Sequence, residues 1–237
     1  MSLSISKPSL SEVPPSFREL VRARKSFRGF LPQSVDDATI AEVLEDAQWS
    51  ASNCNTQPWC IHLVSGAKRD ALSAALIEAS RAGAYSFDFP FSVEAYGGCY
   101  AERRIAQGRD YHEALAVGRN ESEQRRALLE GNFLFFGAPH VALLFLPPVG
   151  DNSLRVAADI GMYAQTLMLS LTAHGLGSVA QTSLGMFSDT IRASLGISDE
   201  FKLLFGISFG YPDAAARGNR IRTGRAPLAE AVTFHKD

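Results

Sequence analysis

The chain of 237 residues is 46% hydrophobic, enough to bury one sizeable core without disulfide or metal support. Its formal charge of -2 comes from interspersed acids and bases, which speaks against a polyanion-binding surface and so against nucleic acid as a partner. No stretch reaches the ~18–20 apolar residues of a membrane span, and residues 1–15 are polar and proline-containing, a flexible segment rather than a secretion signal, so one cytoplasmic domain over 1–237 is expected.

In chain order, the first predicted element is a short helix entered at Ser16, which with Glu19 has capping-box spacing, and carried by Phe17, Leu20 and Val21 toward Arg24. A second follows: Ser34 and Asp37 repeat the capping signal, and Ile40, Val43, Leu44 and Ala47 mark one apolar face. It stops before Ser52. Trp59, Ile61, Leu63 and Val64 then read as a strand closed by Ser65 and Gly66, with a helix over 68–80 behind it. Residues 83–123 lose periodicity, as Phe87, Phe89, Phe91, Tyr96, Tyr100 and Tyr111 mix with Arg103, Arg104, Arg109 and Arg119 around glycines. They read as an excursion from the core, either a lid or an ordinary pair of surface helices.

Val141 to Leu146 is a continuous apolar run ended by two prolines, which suits a strand buried on both faces. Leu154 to His174 is the longest helix candidate, with Asp151 or Asn152 as cap and Gly175 as terminator. Asp159, Tyr163, Thr166 and Ser170 form only a narrow polar stripe on it, so it must be buried on nearly every side, in a large core or, as we favour, in a subunit interface. A short helix at Ser188–Leu195, a strand at Phe201–Tyr211 and an extended tail over 231–235 complete an α+β chain.

Two motifs are decoys. Gly175-Leu-Gly177-Ser-Val-Ala180 fits a dinucleotide fingerprint, but it follows a helix and opens a strand, the reverse of what that fingerprint requires. Gly206-Ile-Ser208-Phe-Gly210 fits a nucleophile elbow, yet Pro212 denies the helix that must follow, so Ser208 reads as an ordinary strand residue. The five histidines share no metal-ligand spacing. Cys54, Cys60 and Cys99 have no CxxC spacing and read as buried or idle thiols.

Three pieces carry chemistry: Arg24-Lys-Ser-Phe-Arg28 at a helix end, Ser52-Asn-Cys-Asn-Thr-Gln-Pro-Trp59 between helix and strand, and Asn219 with Arg225-Ala-Pro-Leu228 near the C-terminus. Guanidinium groups pair bidentately with phosphate oxygens, so Arg24 and Arg225 from opposite chain ends suit a phosphate clamp to which Ser26 adds a hydroxyl. The alternative reading is a solvated helix end. Ser52, Asn53 and Asn55 suit polar contacts to a ligand, or else cap the entry to a strand.

Together these pieces resemble the nitroreductase family, and the likeness extends over nearly the whole chain. It implies a mixed, mainly antiparallel sheet flanked by helices, a long apolar interface helix, a domain-exchanged C-terminal arm, and a homodimer with FMN between subunits. It also implies electron transfer from NAD(P)H to nitroaromatic or similar small electrophilic aromatic acceptors by a ping-pong mechanism, the flavin carrying the chemistry without a protein catalytic residue. Reduction of activated C=C bonds, reductive dehalogenation, or flavin binding without turnover remain open on the same fold.

The FMN contacts implied are Arg24, Lys25, Ser26, Arg28, Ala51, Ser52, Asn53, Asn55, Gln57, Asn132, Ala180, Gln181, Thr182, Ser183, Arg222 and Arg225. Arg28 falls by flavin N1 and O2, and the loop 51–57 comes from the partner subunit. Phe135 and Thr223 stand where some members carry basic residues, which predicts a less positive pocket unless Arg222 or an excursion arginine substitutes. Phe91, Tyr96, Arg103 and Arg104 are the candidate acceptor contacts of the excursion.

Overall fold

The structure, a computed structural model, describes residues 16–118 and 121–236. The segment 1–15 read as flexible and Arg119 lie outside the described residues. The helices are α1 (Phe17–Ala23), α2 (Asp37–Gln48), α3 (Gly66–Ala82), α4 (Gly98–Leu115), α5 (Ser122–Phe133), α6 (Ser153–Ala173) and α7 (Ser188–Leu195). The strands are β1 (Cys60–Ser65), β2 (His140–Leu146), β3 (Gly177–Gln181) and β4 (Lys202–Gly210), in the sheet order β1-β2-β4-β3.

Every neighbouring pair in this sheet is antiparallel. The mixed character expected from the sequence is therefore confined to isolated parallel bridges, Ser26 with Ser178 and Ser86 with Phe187. Strand β2 explains its own apolar run, because alternate side chains of a strand point to opposite faces. Val141, Leu143 and Phe145 join a core with Leu72 and Leu76 of α3, Phe133 of α5 and Ile191 of α7. Ala142, Leu144 and Leu146 join a second core with Ile40 and Val43 of α2 and Ile160, Tyr163 and Leu167 of α6. Helix α4 covers neither core and buries no residue.

Local signals explain most element ends. The Ser16–Glu19 capping box is complete: the Ser16 side chain accepts from the Glu19 N–H, and the Ser16 N–H donates to Glu19 Oε2 at 2.9 Å. Helix α2 is capped by Asp36, which accepts from the Thr39 N–H at 3.0 Å, and not by Ser34. Gly175, in the left-handed region at φ 72°, ends α6 and hands the chain to β3. Ser208 is a buried residue in the middle of β4 whose hydroxyl donates to Gln181 Oε1, which removes the nucleophile-elbow reading.

Within one subunit helix α6 is buried on one side and open on the other. Its polar stripe points inward: Asp159, Tyr163 and Ser170 are buried, while Leu154 is 83% exposed and Met162 43%. Nearby segments of the same chain supply the hydrogen-bond partners that make this tolerable. The Ser170 hydroxyl donates to Asp46 Oδ2 at 2.6 Å, and the Ser50 hydroxyl donates to Thr166 Oγ1 at 2.8 Å. Of the cysteines, expected to be buried or idle, Cys54 and Cys99 are exposed and Cys60 is partly covered. Among the described residues no helix is long and apolar enough to cross a membrane, and no cluster of potential metal ligands forms.

Candidate functional site

The segment after α1 runs along the outer edge of β3, where the Phe27 N–H donates to the Ser178 carbonyl at 3.0 Å. Two glycines allow this close approach. A Cβ at Gly177 would lie 2.8 Å from the Phe27 ring, and one at Gly29 would lie 2.3 Å from Ala216 Cβ. Asn219 staples the segment to the C-terminal chain. Its Oδ1 accepts from the Arg28 N–H at 2.6 Å, its side-chain amide donates to the Gly29 and Asp213 carbonyls, and its own carbonyl accepts from Lys25 Nζ.

These contacts build a cavity of about 620 Å³ whose lining includes Arg22, Arg24, Lys25, Arg28, Arg222 and Arg225 together with Ser26, Gln107 and Gln165. Among the described residues no carboxylate lines it. The crowding shows in the acidities. Arg24 is held below the usual arginine range by burial and then by the neighbouring charge of Arg225, and Lys25 is lowered by burial and then by Arg222. Arg28 is lowered mainly by burial, opposed by Tyr111. So many partly desolvated cations repel one another unless an anion joins them. Thr223 accepts from Arg225 through its carbonyl at 3.1 Å and its hydroxyl at 3.3 Å, while Arg222 reaches the cavity itself.

The loop 52–57 lies elsewhere on the subunit. Gln57 donates its N–H to Ser52 Oγ at 2.9 Å and its side-chain amide to the Asn55 carbonyl, and Asn53 donates its N–H to Asp159 of α6 at 3.2 Å. Cys54, Asn55 and Gln57 all adopt φ near +50°, costly for residues with a Cβ. The loop exposes Ala51, Asn53, Asn55 and Gln57, and the last two line a depression beside Trp49, which is 91% exposed. None of these residues lines the basic cavity of the same subunit.

A third group sits at the end of β3. Gln181 is buried and donates to the Asn132 carbonyl at 2.8 Å while accepting from Ser208, so its amide is committed to holding α5 against the sheet. Ala180 is exposed, and Thr182 and Ser183 enter a separate apolar cavity of about 230 Å³ with Phe87, Phe89, Phe91 and Met186. Phe135 belongs to the core, with the Arg69 guanidinium 5.2 Å from its ring centre.

The other excursion residues do not gather around Phe91. Tyr96 is exposed on the approach to α4. Arg103 pairs with Glu230 of the C-terminal segment and lies over the Tyr100 ring, and Arg104 borders a surface depression with Arg109 and Arg125. Asn219, Gln107, Gln165 and Tyr111 were absent from the candidate contacts. Only Asn219 carried a sequence signal, its spacing from Arg225; Gln107 and Gln165 reach the cavity, and Tyr111 reaches Arg28, through helix packing that no local pattern encodes.

Residues 21–211 match the Nitroreductase family. The chain is 42% identical over 217 residues to nitroreductase NfnB of Mycolicibacterium smegmatis, covering 92% of each protein. It is 30% identical to a nitrobenzene nitroreductase of Ectopseudomonas oleovorans, covering 93% of this chain and 97% of that one. Among solved structures it resembles the FMN-dependent nitroreductase NfnB from Mycobacterium smegmatis in complex with NADPH, with TM-score 0.89, 41% identity, and coverage of 92% and 97%.

Proposed function

The chain belongs to the nitroreductase family, and from that premise we propose that it is an FMN-dependent reductase passing electrons from NAD(P)H to nitroaromatic or similar small electrophilic aromatic acceptors. The observation that carries this reading is the basic cavity, where six cationic side chains converge without a carboxylate among the described residues. A terminal phosphate near its dianionic state fits that donor set, with Arg24 and Arg225 as its clamp and Ser26 as a further donor. Arg28 is assigned to the N1–C2 edge of the flavin ring, and Asn132 with the chain at 180–183 to the ring's surroundings. When bound, FMN supplies the two-electron chemistry, taking hydride from the nicotinamide and delivering it to the acceptor.

None of the residues of the loop 51–57 lines the cavity of its own subunit, so we assign the loop to the cavity of a second copy. The faces that would meet are apolar and uncovered: Phe17 and Val21 of α1, Trp49 after α2, and Leu154 and Met162 of α6 are all exposed. Patches of that kind mark interfaces in soluble proteins. Gln165 of the same helix lines the basic cavity, which places the cavity at the edge of this face. The C-terminal arm, with Leu228, Val232 and Phe234 exposed, is read as exchanged between the subunits of that homodimer. A reductase consuming NAD(P)H draws on the cytoplasmic nicotinamide pool, and we assign it there.

With one ring face for donor and acceptor and no Rossmann fingerprint in its proper setting, the two substrates share one place and turnover is ping-pong. Steady-state rates at several nitrobenzene concentrations test this. Parallel double-reciprocal plots with NADPH are expected; no oxidation of NADPH by FMN-loaded protein, or intersecting plots, would overturn the reading.

A further inference from the structure

Arg28 differs from the other cations of the cavity in how it is held. Its guanidinium carbon lies 4.9 Å from the centre of the Tyr111 ring, a residue of α4. Lys25 by contrast reaches a carbonyl and the ring of its near neighbour Phe27, and Arg225 folds back on the carbonyls of Thr223 and Gly224. Tyr111 is one helical turn beyond Gln107, which lines the same cavity, and two beyond Arg103, which pairs with Glu230. Helix α4 buries nothing in either core, yet one stripe of it faces the basic cavity and the C-terminal chain.

The choice of an aromatic partner has a consequence. A carboxylate beside Arg28 would hold it and also cancel its charge. The face of an aromatic ring attracts a guanidinium through its quadrupole and leaves the full positive charge for a ligand, with the N–H edge pointing outward from the stack. Burial pushes the pKa of the Tyr111 phenol up, which keeps the ring neutral. The backbone of Arg28 is fixed at the same time by Asn219 Oδ1.

We propose that Tyr111 is the positioning residue for Arg28, fixing the positive charge presented to the N1–C2 edge of bound FMN and thereby raising the flavin's reduction potential. The inference rests on the assignment of Arg28 to that edge. It makes the excursion part of the electronic site as well as its cover.

The test is the midpoint potential of FMN in the loaded protein, measured by dye equilibration, with the FMN dissociation constant measured alongside. Tyr111→Leu is expected to weaken the preference for reduced over oxidised flavin about tenfold, a shift of about 30 mV to lower potential for a two-electron couple. Tyr111→Phe, which keeps the ring, stays at the parent value, and FMN affinity in Tyr111→Leu stays within about threefold because the phosphate clamp is untouched. Arg28→Leu lowers the potential at least as far, and the double variant adds nothing to it, since both changes remove one effect. Tyr111→Gln gives the same reading if the leucine variant folds poorly. A parent-like potential in Tyr111→Leu or Tyr111→Gln, with Arg28→Leu shifted, overturns the role of Tyr111 and leaves the site assignment standing. A parent-like potential in Arg28→Leu overturns the assignment of Arg28 itself, and the inference with it.

Discussion

Strand β2 and helix α4 are opposites in one molecule: every residue of the first is buried and none of the second is. Strand β2 fixes the fold, because its two faces nucleate both cores. Helix α4 contributes little burial but lies against the basic cavity through Gln107 and Tyr111. On the proposed site, stability and flavin chemistry depend on different residues, and substitutions should separate them.

The largest effect is expected in β2. Phe145→Ala removes a fully buried ring and should cost about 3–5 kcal/mol of unfolding free energy in urea titration. A loss under 1 kcal/mol would blur the contrast. Next come the clamp residues: Arg24→Ala and Arg225→Ala should each weaken FMN binding by roughly 1.5–3 kcal/mol with the fold intact, as read by flavin titration and circular dichroism. Unchanged FMN retention in both would detach the cavity from the phosphate.

A pH effect belongs to the core side of the comparison. His140 is buried at the start of β2, and its Nε2 accepts from the Val35 N–H at 3.0 Å, which requires that nitrogen to be unprotonated. Burial holds its pKa below the ordinary histidine value. The sign follows: the stability it contributes is fully present above the unfolded-state value of about 6.5 and is lost as pH falls from there toward the lower folded-state value. Unfolding at pH 7.5 and 5.5 should show this loss, and His140→Gln, which keeps an acceptor without a titrating ring, should lack it. The smallest effect is expected on α4, where Arg103→Ala breaks an exposed ion pair with Glu230 and should change stability by less than about 1 kcal/mol.

The same contrast explains what the sequence revealed. Helix α1 and strand β2 were legible because a capping box and an unbroken apolar run are local signals. The cap of α2 was misplaced, since Ser34 and Asp36 both precede the apolar face and only the folded chain shows that Asp36 accepts from Thr39. The narrow polar stripe of α6 shows in the sequence, but the partners Asp46, Ser50 and Asn53 that let it face inward do not. Residues 83–123 stay open between a lid and a pair of surface helices because the glycines and aromatics of α4 weaken the helical pattern, and Tyr111 meets Arg28 only through tertiary packing. In the site, the cationic cluster was visible from residue types and spacing, while the staple formed by Asn219 depends on distant chain segments meeting.

The most direct test of the account is the affinity of the protein for FMN against riboflavin, measured by equilibrium dialysis at one ionic strength. The two share the ring and the ribityl chain and differ in the phosphate that the carboxylate-free cavity is taken to hold. The account predicts FMN to bind tighter by on the order of a hundredfold or more, the sum of two lost charge-assisted contacts. Equal affinity for the two flavins, or no binding of either, would contradict it.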